Sequence, residues 1–122
     1  MQIGELARRH GMSTAMIRHY ERLDLFDPDH VVRAPNGYRE FTEGASARIR
    51  LIRIGQQAGF SLRQMRTELA HWADGTMAPE ERAALLRRQL ATIEAKLREL
   101  RASRRLIRAR LTELDGAERA AR

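Results

Sequence analysis

Leu86, Leu90, Ile93, Leu97, Leu100, Arg104, Ile107, Leu111 and Leu114 follow one another in alternating steps of four and three, and eight of these nine positions are apolar. That alternation places an apolar seam along one side of an α-helix, and about four heptads of it specify a coiled coil. The helix predicted from Pro79 to about Asp115 is roughly 50 Å long at ~1.5 Å per residue. The remainder of a 122-residue chain is too small to cover it. The seam therefore needs a partner helix, and a second copy of the chain is the simplest one. In a parallel pair Arg101, Arg104, Arg105, Arg108 and Arg110 would face their own copies. An antiparallel pair centred near Leu100 sets them against the stretch holding Glu94 and Glu99, so charge favours antiparallel pairing. Arg104 is then the polar seam residue that fixes register at some cost in stability.

At the other end, Ile3, Leu6, Ala7 and His10 recur at helical spacing, and Gly11 follows where a left-handed C-cap sits. Ser13 or Thr14 caps a second helix that runs to about Leu23 before Asp27-Pro28 stops it. Two helices joined through Gly11-Met12-Ser13 read as a helix-turn-helix, whose second element enters a DNA major groove. At 100° per residue, Ser13, Met16, Ile17, Tyr20 and Leu23 gather on one side, with Met16, Ile17 and Leu23 as core. Thr14, Ala15, Arg18, Glu21 and Arg22 lie on the other. Arg18 points outward, either to a base or, in the blander alternative, into solvent beside Glu21.

Two β-prone pieces follow, His30–Arg33 and Tyr38–Phe41, with Ala34-Pro35-Asn36-Gly37 between them. Asn-Gly there is a hairpin signal, since both residues tolerate positive φ. The hairpin reads as a wing. Thr42 caps a third helix to about Ala58, apolar on two sides (Ala45, Ile49, Ile52; Ala47, Leu51, Ile54) and so expected between two partners. Its Arg48, Arg50 and Arg53 read as a solvated face. Ser61-Leu-Arg-Gln64 has the form of a capping box opening a fourth helix with the stripe Leu62, Met65, Leu69 and Trp72. His71 and Trp72 are candidates for an effector pocket, although a tryptophan closing an apolar stripe is more often core. His10 and His30 read as surface residues. The expected division is 1–75 for the winged domain (wing about 30–41, helix pair 42–74), 76–115 for the dimerisation helix and 116–122 for a tail.

A net charge of +7 and a pI near 11.2 point to an anionic partner. Residues 1–75 carry 11 Arg/Lys against 9 Asp/Glu and residues 76–122 carry 12 against 7, so the dimerisation half is the more basic one. With no cysteine, disulfides, thiolate metal sites and thiol redox sensing are excluded. The four histidines show no ligand spacing, so neither metal nor cofactor is expected. No apolar run approaches a membrane span, and the N-terminus lacks the pattern of a secretory signal, which makes the expected location cytoplasmic.

Taken in order, "IGELARRHGMS", "IRHYERLDL", "NGYREF", "RIRLIRIGQQAGFSLRQM" and the closing coiled coil resemble the MerR family of bacterial transcriptional regulators over nearly the whole chain. The resemblance implies a winged helix-turn-helix on a homodimer with antiparallel long helices. It also implies a palindromic promoter element with an over-long spacer, distorted so that RNA polymerase engages it, and a small-molecule effector sensed near the junction of the fourth helix and the coiled coil. Residue by residue, Arg18 matches the arginine placed in the major groove, where a guanidinium fits guanine O6 and N7. Tyr20 matches the second aromatic of the usual "RYYE", as core with its hydroxyl toward a phosphate, while His19 replaces the first. Thr14 lies one turn ahead of Arg18, and Ala15 stands where many members carry a longer polar side chain. Tyr38 and Arg39 match the "GYR" that grips the backbone, with Arg33 and Asn36 on the same hairpin and Ser13 and Arg22 flanking the recognition face.

Two other functions compete. A DNA-architectural or excision-type winged helix protein would bind DNA without regulating a promoter, yet such proteins usually lack a dimerising helix. A coiled-coil adaptor would use its basic helix on an acidic partner. An enzyme is disfavoured, because no nucleophile-base pair, carboxylate dyad, phosphate loop or metal cluster is present in the sequence.

Overall fold

Gly11 closes the first helix at φ 60°, and Ser13 opens the next by accepting a hydrogen bond from the Met16 amide on its side chain. These two signals produce α1 (Ile3–His10) and α2 (Thr14–Arg22). The computed structural model describes residues 1–122. A 3-10 turn (Pro28–His30) leads into β1 (Val31–Arg33) and β2 (Arg39–Phe41), followed by α3 (Glu43–Gln57), α4 (Leu62–Ala73) and α5 (Pro79–Ala120). The chain divides into two units, Met1–Arg82 and Ala83–Arg122. The first is the winged helix-turn-helix with its helix pair; the second is helix throughout, down to Ala120.

In the first unit one core joins Leu6 and Ala7 of α1, Ile17 and Tyr20 of α2, Leu25, Phe41 of β2, Ala45, Ile49 and Ile52 of α3, and Met65 and Leu69 of α4. Each fully buried Leu, Ile or Phe among them contributes about 1.5–3 kcal/mol relative to an exposed one. α2 ends in a Schellman turn: Leu25 donates to the Tyr20 carbonyl and Asp24 to that of Glu21, with Asp24 at φ 56°. Aspartate is one of the few residues that visits this region without a large penalty. The turn drops Leu25 into the core. Gly55 lets α4 approach α3, since a Cβ there would collide with the Met65 sulfur.

β1 and β2 pair antiparallel, with Val31 opposite Phe41, Val32 opposite Glu40 and Arg33 opposite Arg39. The loop between them differs from the Asn-Gly expectation, because only Gly37 has positive φ. Gly37 donates to the Ala34 carbonyl and Ala34 to that of Tyr38. This is a three-residue loop built on a type I turn with Pro35 in the position it favours and Gly37 in the left-handed one.

Several sequence expectations need correction. α3 buries Ala45, Ile49 and Ile52, but its second face is only partly covered: Leu51 packs half-buried against the core, while Ala47 is exposed and Ile54 is 61% exposed. Thr42 precedes α3 without capping it, and its hydroxyl donates to the His30 carbonyl instead. Met16 is 42% exposed, because the two turns of α2 seat only Ile17 and Tyr20 fully. Arg48 is buried rather than solvated, with Nη1 donating to the Leu25 carbonyl and Nη2 to Asp27. His10 and His30 are both half-buried. His10 Nε2 meets the Ser46 hydroxyl at 2.7 Å, and His30 Nδ1 accepts from the Asp27 amide at 3.1 Å. The long helix does not stop near Asp115 but continues through 116–120, where a tail was expected. The unit boundary also falls inside its first turns rather than at 75, because Arg82 is tied back to the carbonyls of Trp72 and Met77.

Candidate nucleic-acid interface

The outer face of α2 is held at a fixed angle because Ile17 and Tyr20 on its inner face are almost fully buried. On that outer side Ala15, Arg18 and Arg22 are exposed, while Thr14 and His19 are half-buried. Arg18 makes no ion pair or hydrogen bond within the chain. Glu21, the acid expected beside it in the solvated alternative, is taken by the wing instead. Both of its carboxylate oxygens accept from Arg39 Nη1 at 2.7 Å. Ser13 serves as the helix cap, its Oγ accepting from Met16 N at 3.1 Å.

Strand register explains how Arg39 reaches α2. Residues two apart share a face, so Arg39 lies on the same side of β2 as Phe41, which is buried in the core. Arg33 sits directly opposite Arg39, exposed and without an acidic partner. At the tip, Asn36 Oδ1 accepts from the Tyr38 amide at 3.1 Å, leaving the Tyr38 ring 64% exposed. Arg18, Arg22, Arg33 and Arg39 thus come from α2 and from the hairpin that α2 anchors. Burial raises the Tyr20 pKa, with Arg53 pulling in the opposite direction, so the phenol stays neutral and available as a donor.

A second cluster lies where α1 meets α3. Arg50 donates to Ser46 Oγ at 3.3 Å, and the same hydroxyl lies 2.7 Å from His10 Nε2. Burial, then Arg53, Arg50 and Arg9, lowers the His10 pKa. Arg9 itself is bound to Glu43 at 2.8 and 2.9 Å. At the α4–α5 elbow, His71 Nδ1 meets Thr76 Oγ1 and Nε2 lies 3.3 Å from Glu81. The Arg82 guanidinium covers the Trp72 ring at 4.7 Å. Both residues considered for an effector pocket therefore have partners within the elbow.

Sequence reasoning missed Glu21 as the anchor of the wing, Arg48 as a buried brace and Ser46 as the hub of the α1–α3 contact. A signal existed for Glu21, as the lone acid on the outward face of a helix with exposed arginines.

A family model described as MerR HTH family regulatory protein matches residues 1–72, and one described as MerR, DNA binding matches residues 46–114. The chain belongs to the MerR family. Among curated relatives, the HTH-type transcriptional regulator HmrR of Sinorhizobium medicae (strain WSM419) is 34% identical over 97 residues, which is 80% of this chain and 65% of HmrR. ZntR of Escherichia coli (strain K12), also an HTH-type transcriptional regulator, is 32% identical over 105 residues, 85% of this chain and 73% of ZntR. This MerR-family chain thus spans just under two thirds of the length of HmrR. A solved MerR-family structure from Listeria monocytogenes has a TM-score of 0.63 and 26% identity, covering 94% of this chain and 86% of that one. HiNmlR, a MerR family regulator lacking the sensor domain and solved bound to promoter DNA, has a TM-score of 0.62 at 23% identity, covering 96% of this chain and 91% of its own. At that identity the likeness is one of fold. No helix of this MerR-family protein is long and apolar enough to cross a membrane.

Proposed function

We propose that this MerR-family protein is a cytoplasmic transcriptional regulator that binds double-stranded promoter DNA as a homodimer. It reads a palindromic element, and it acts by distorting that DNA so that RNA polymerase engages the promoter. The observation that carries the reading is Arg18, an exposed and unpaired guanidinium on the outer face of a helix-turn-helix second helix, flanked by Arg22 and by the wing cations Arg33 and Arg39. Arg18 supplies base contact. Thr14, Ala15 and His19 modulate it, with the Ala15 methyl suited to a thymine methyl. Arg22, Arg33, Asn36, Tyr38, Arg39 and Tyr20 supply the backbone contacts that set register.

The homodimer rests on α5, where Leu86, Leu90, Leu97, Leu100, Ile107, Leu111 and Leu114 are all exposed along one seam. Forty-two residues give a helix of about 63 Å at ~1.5 Å per residue. An antiparallel copy buries this seam, and the two-fold axis accounts for a palindromic site.

The test is to map the DNA the protein binds across the genome and transcribe the recovered promoters in vitro. The reading expects inverted half-sites, steeply salt-dependent affinity and altered transcription on addition of the protein. Binding without sequence preference, and with no effect on transcription, would favour the architectural alternative.

A further inference from the structure

Glu21 is an anomaly on a face meant for DNA. A carboxylate beside the phosphate backbone opposes binding, so elementary electrostatics predicts that removing it tightens the complex. Its geometry argues for a different role. Only Nη1 of Arg39 is used in the pair, with both Glu21 oxygens at 2.7 Å, and Nε and Nη2 of the same guanidinium have no partner. Arg39 itself is an exposed residue, so its guanidinium stands at the surface. Glu21 is the better covered of the two residues, its side chain 19% exposed against 44% for Arg39. The carboxylate is therefore the fixed member and the guanidinium the presented one.

We propose that Glu21 is a positioning residue for DNA binding, holding Arg39 by Nη1 so that its free Nε and Nη2 edge donates to a phosphate oxygen of the DNA backbone. The proposal rests on the DNA-binding reading above. Three physical effects support it. An unpaired arginine samples many rotamers, and pre-ordering one removes that cost from the binding step. A guanidinium has donors enough to serve a carboxylate and a phosphate together. Arg33 stands directly opposite Arg39 on the hairpin, and like charges across a strand pair repel. Glu21 offsets that repulsion and keeps both wing cations on the α2 side.

The test measures binding of the full-length protein to a labelled duplex carrying a site recovered from its own bound DNA, for the parent, Glu21→Gln, Arg39→Ala and the double variant. Glu21→Gln keeps the side-chain shape, and unchanged circular dichroism verifies its fold. The expected result is that Glu21→Gln weakens binding about tenfold although it removes a negative charge. In the Arg39→Ala background the same change should no longer weaken binding and should tighten it slightly, the sign expected of charge alone. Tighter or unchanged binding by Glu21→Gln in the parent background would overturn the proposal. A parent protein that binds neither this duplex nor any other DNA would instead overturn the DNA-binding reading, and the proposal with it.

Discussion

Arg48 spans the joint between the recognition helix and the wing, its Nη2 donating to Asp27 Oδ2 at 2.8 Å while Nη1 donates to the Leu25 carbonyl at 2.7 Å. The arginine is 5% exposed, and it braces the segment whose course sets the origin of β1. Arg48→Ala removes a buried charge that satisfies two acceptors. It should cost about 2–4 kcal/mol of folding free energy in denaturant titration. Arg48→Lys, with a single point of contact, should recover only part of this loss.

The His10–Ser46 contact gives the fold a defined pH dependence. Burial, followed by Arg53, Arg50 and Arg9, holds the His10 pKa below its ordinary 6.5. The unfolded chain therefore takes up the proton first. Stability should be full above the unfolded value, fall as pH drops from about 6.5 through the lower folded value, and then level off. Glu43 and Asp74 are depressed, Glu43 by its hydrogen bonds with Arg9 and Asp74 by those from Thr76, so their contributions disappear at lower pH still. Melting curves of the parent and His10→Gln across this window check the assignment. The variant should show a shallower decline, and an identical decline would assign the slope elsewhere.

Arg82 stacks on Trp72 and donates to the carbonyls of Trp72 and Met77 at 3.1 and 3.3 Å. Arg82→Ala should cost about 1–2 kcal/mol, from the cation–π contact together with the lost hydrogen bonds. Trp72 is the sole tryptophan, so its emission reports on the elbow directly. The maximum should shift to the red as the ring is uncovered.

Glutamate at both Leu97 and Leu100 puts charge into the middle of the proposed dimer seam, and the protein should then sediment as a monomer. Reversal of charge at Arg105 and Arg108 tests orientation separately. In an antiparallel pair it sets acids against the stretch holding Glu94, and the dimer should weaken. Unchanged dimer stability after that reversal would contradict antiparallel pairing.

The elements legible in the sequence were those written in local signals. Gly11 at positive φ, the Ser13 cap, the Ser61 and Gln64 capping box and the 86–114 seam each depend on neighbours within a few residues, and each has its structural counterpart. What stayed hidden depends on contacts distant in sequence. Arg48 looks like one of three surface arginines until Leu25 and Asp27 are seen to lie beneath it. The exposure of Ala47 and Ile54 on the second face of α3 is likewise invisible to periodicity, which reports apolarity and not whether a neighbour is present. In the candidate interface, the outward direction of Arg18 followed from helical phase. The capture of Glu21 by Arg39 did not, because it requires knowing how the hairpin folds back on α2.

Base reading by α2 through Arg18 is tested by the affinity of Arg18→Ala for the mapped site and for a set of single-base variants of it. The expected result is a loss of about 1–3 kcal/mol on the parent site, with preference abolished at one position in each half-site and retained elsewhere. An Arg18→Ala protein that binds with the parent's affinity and the parent's base preferences would contradict it.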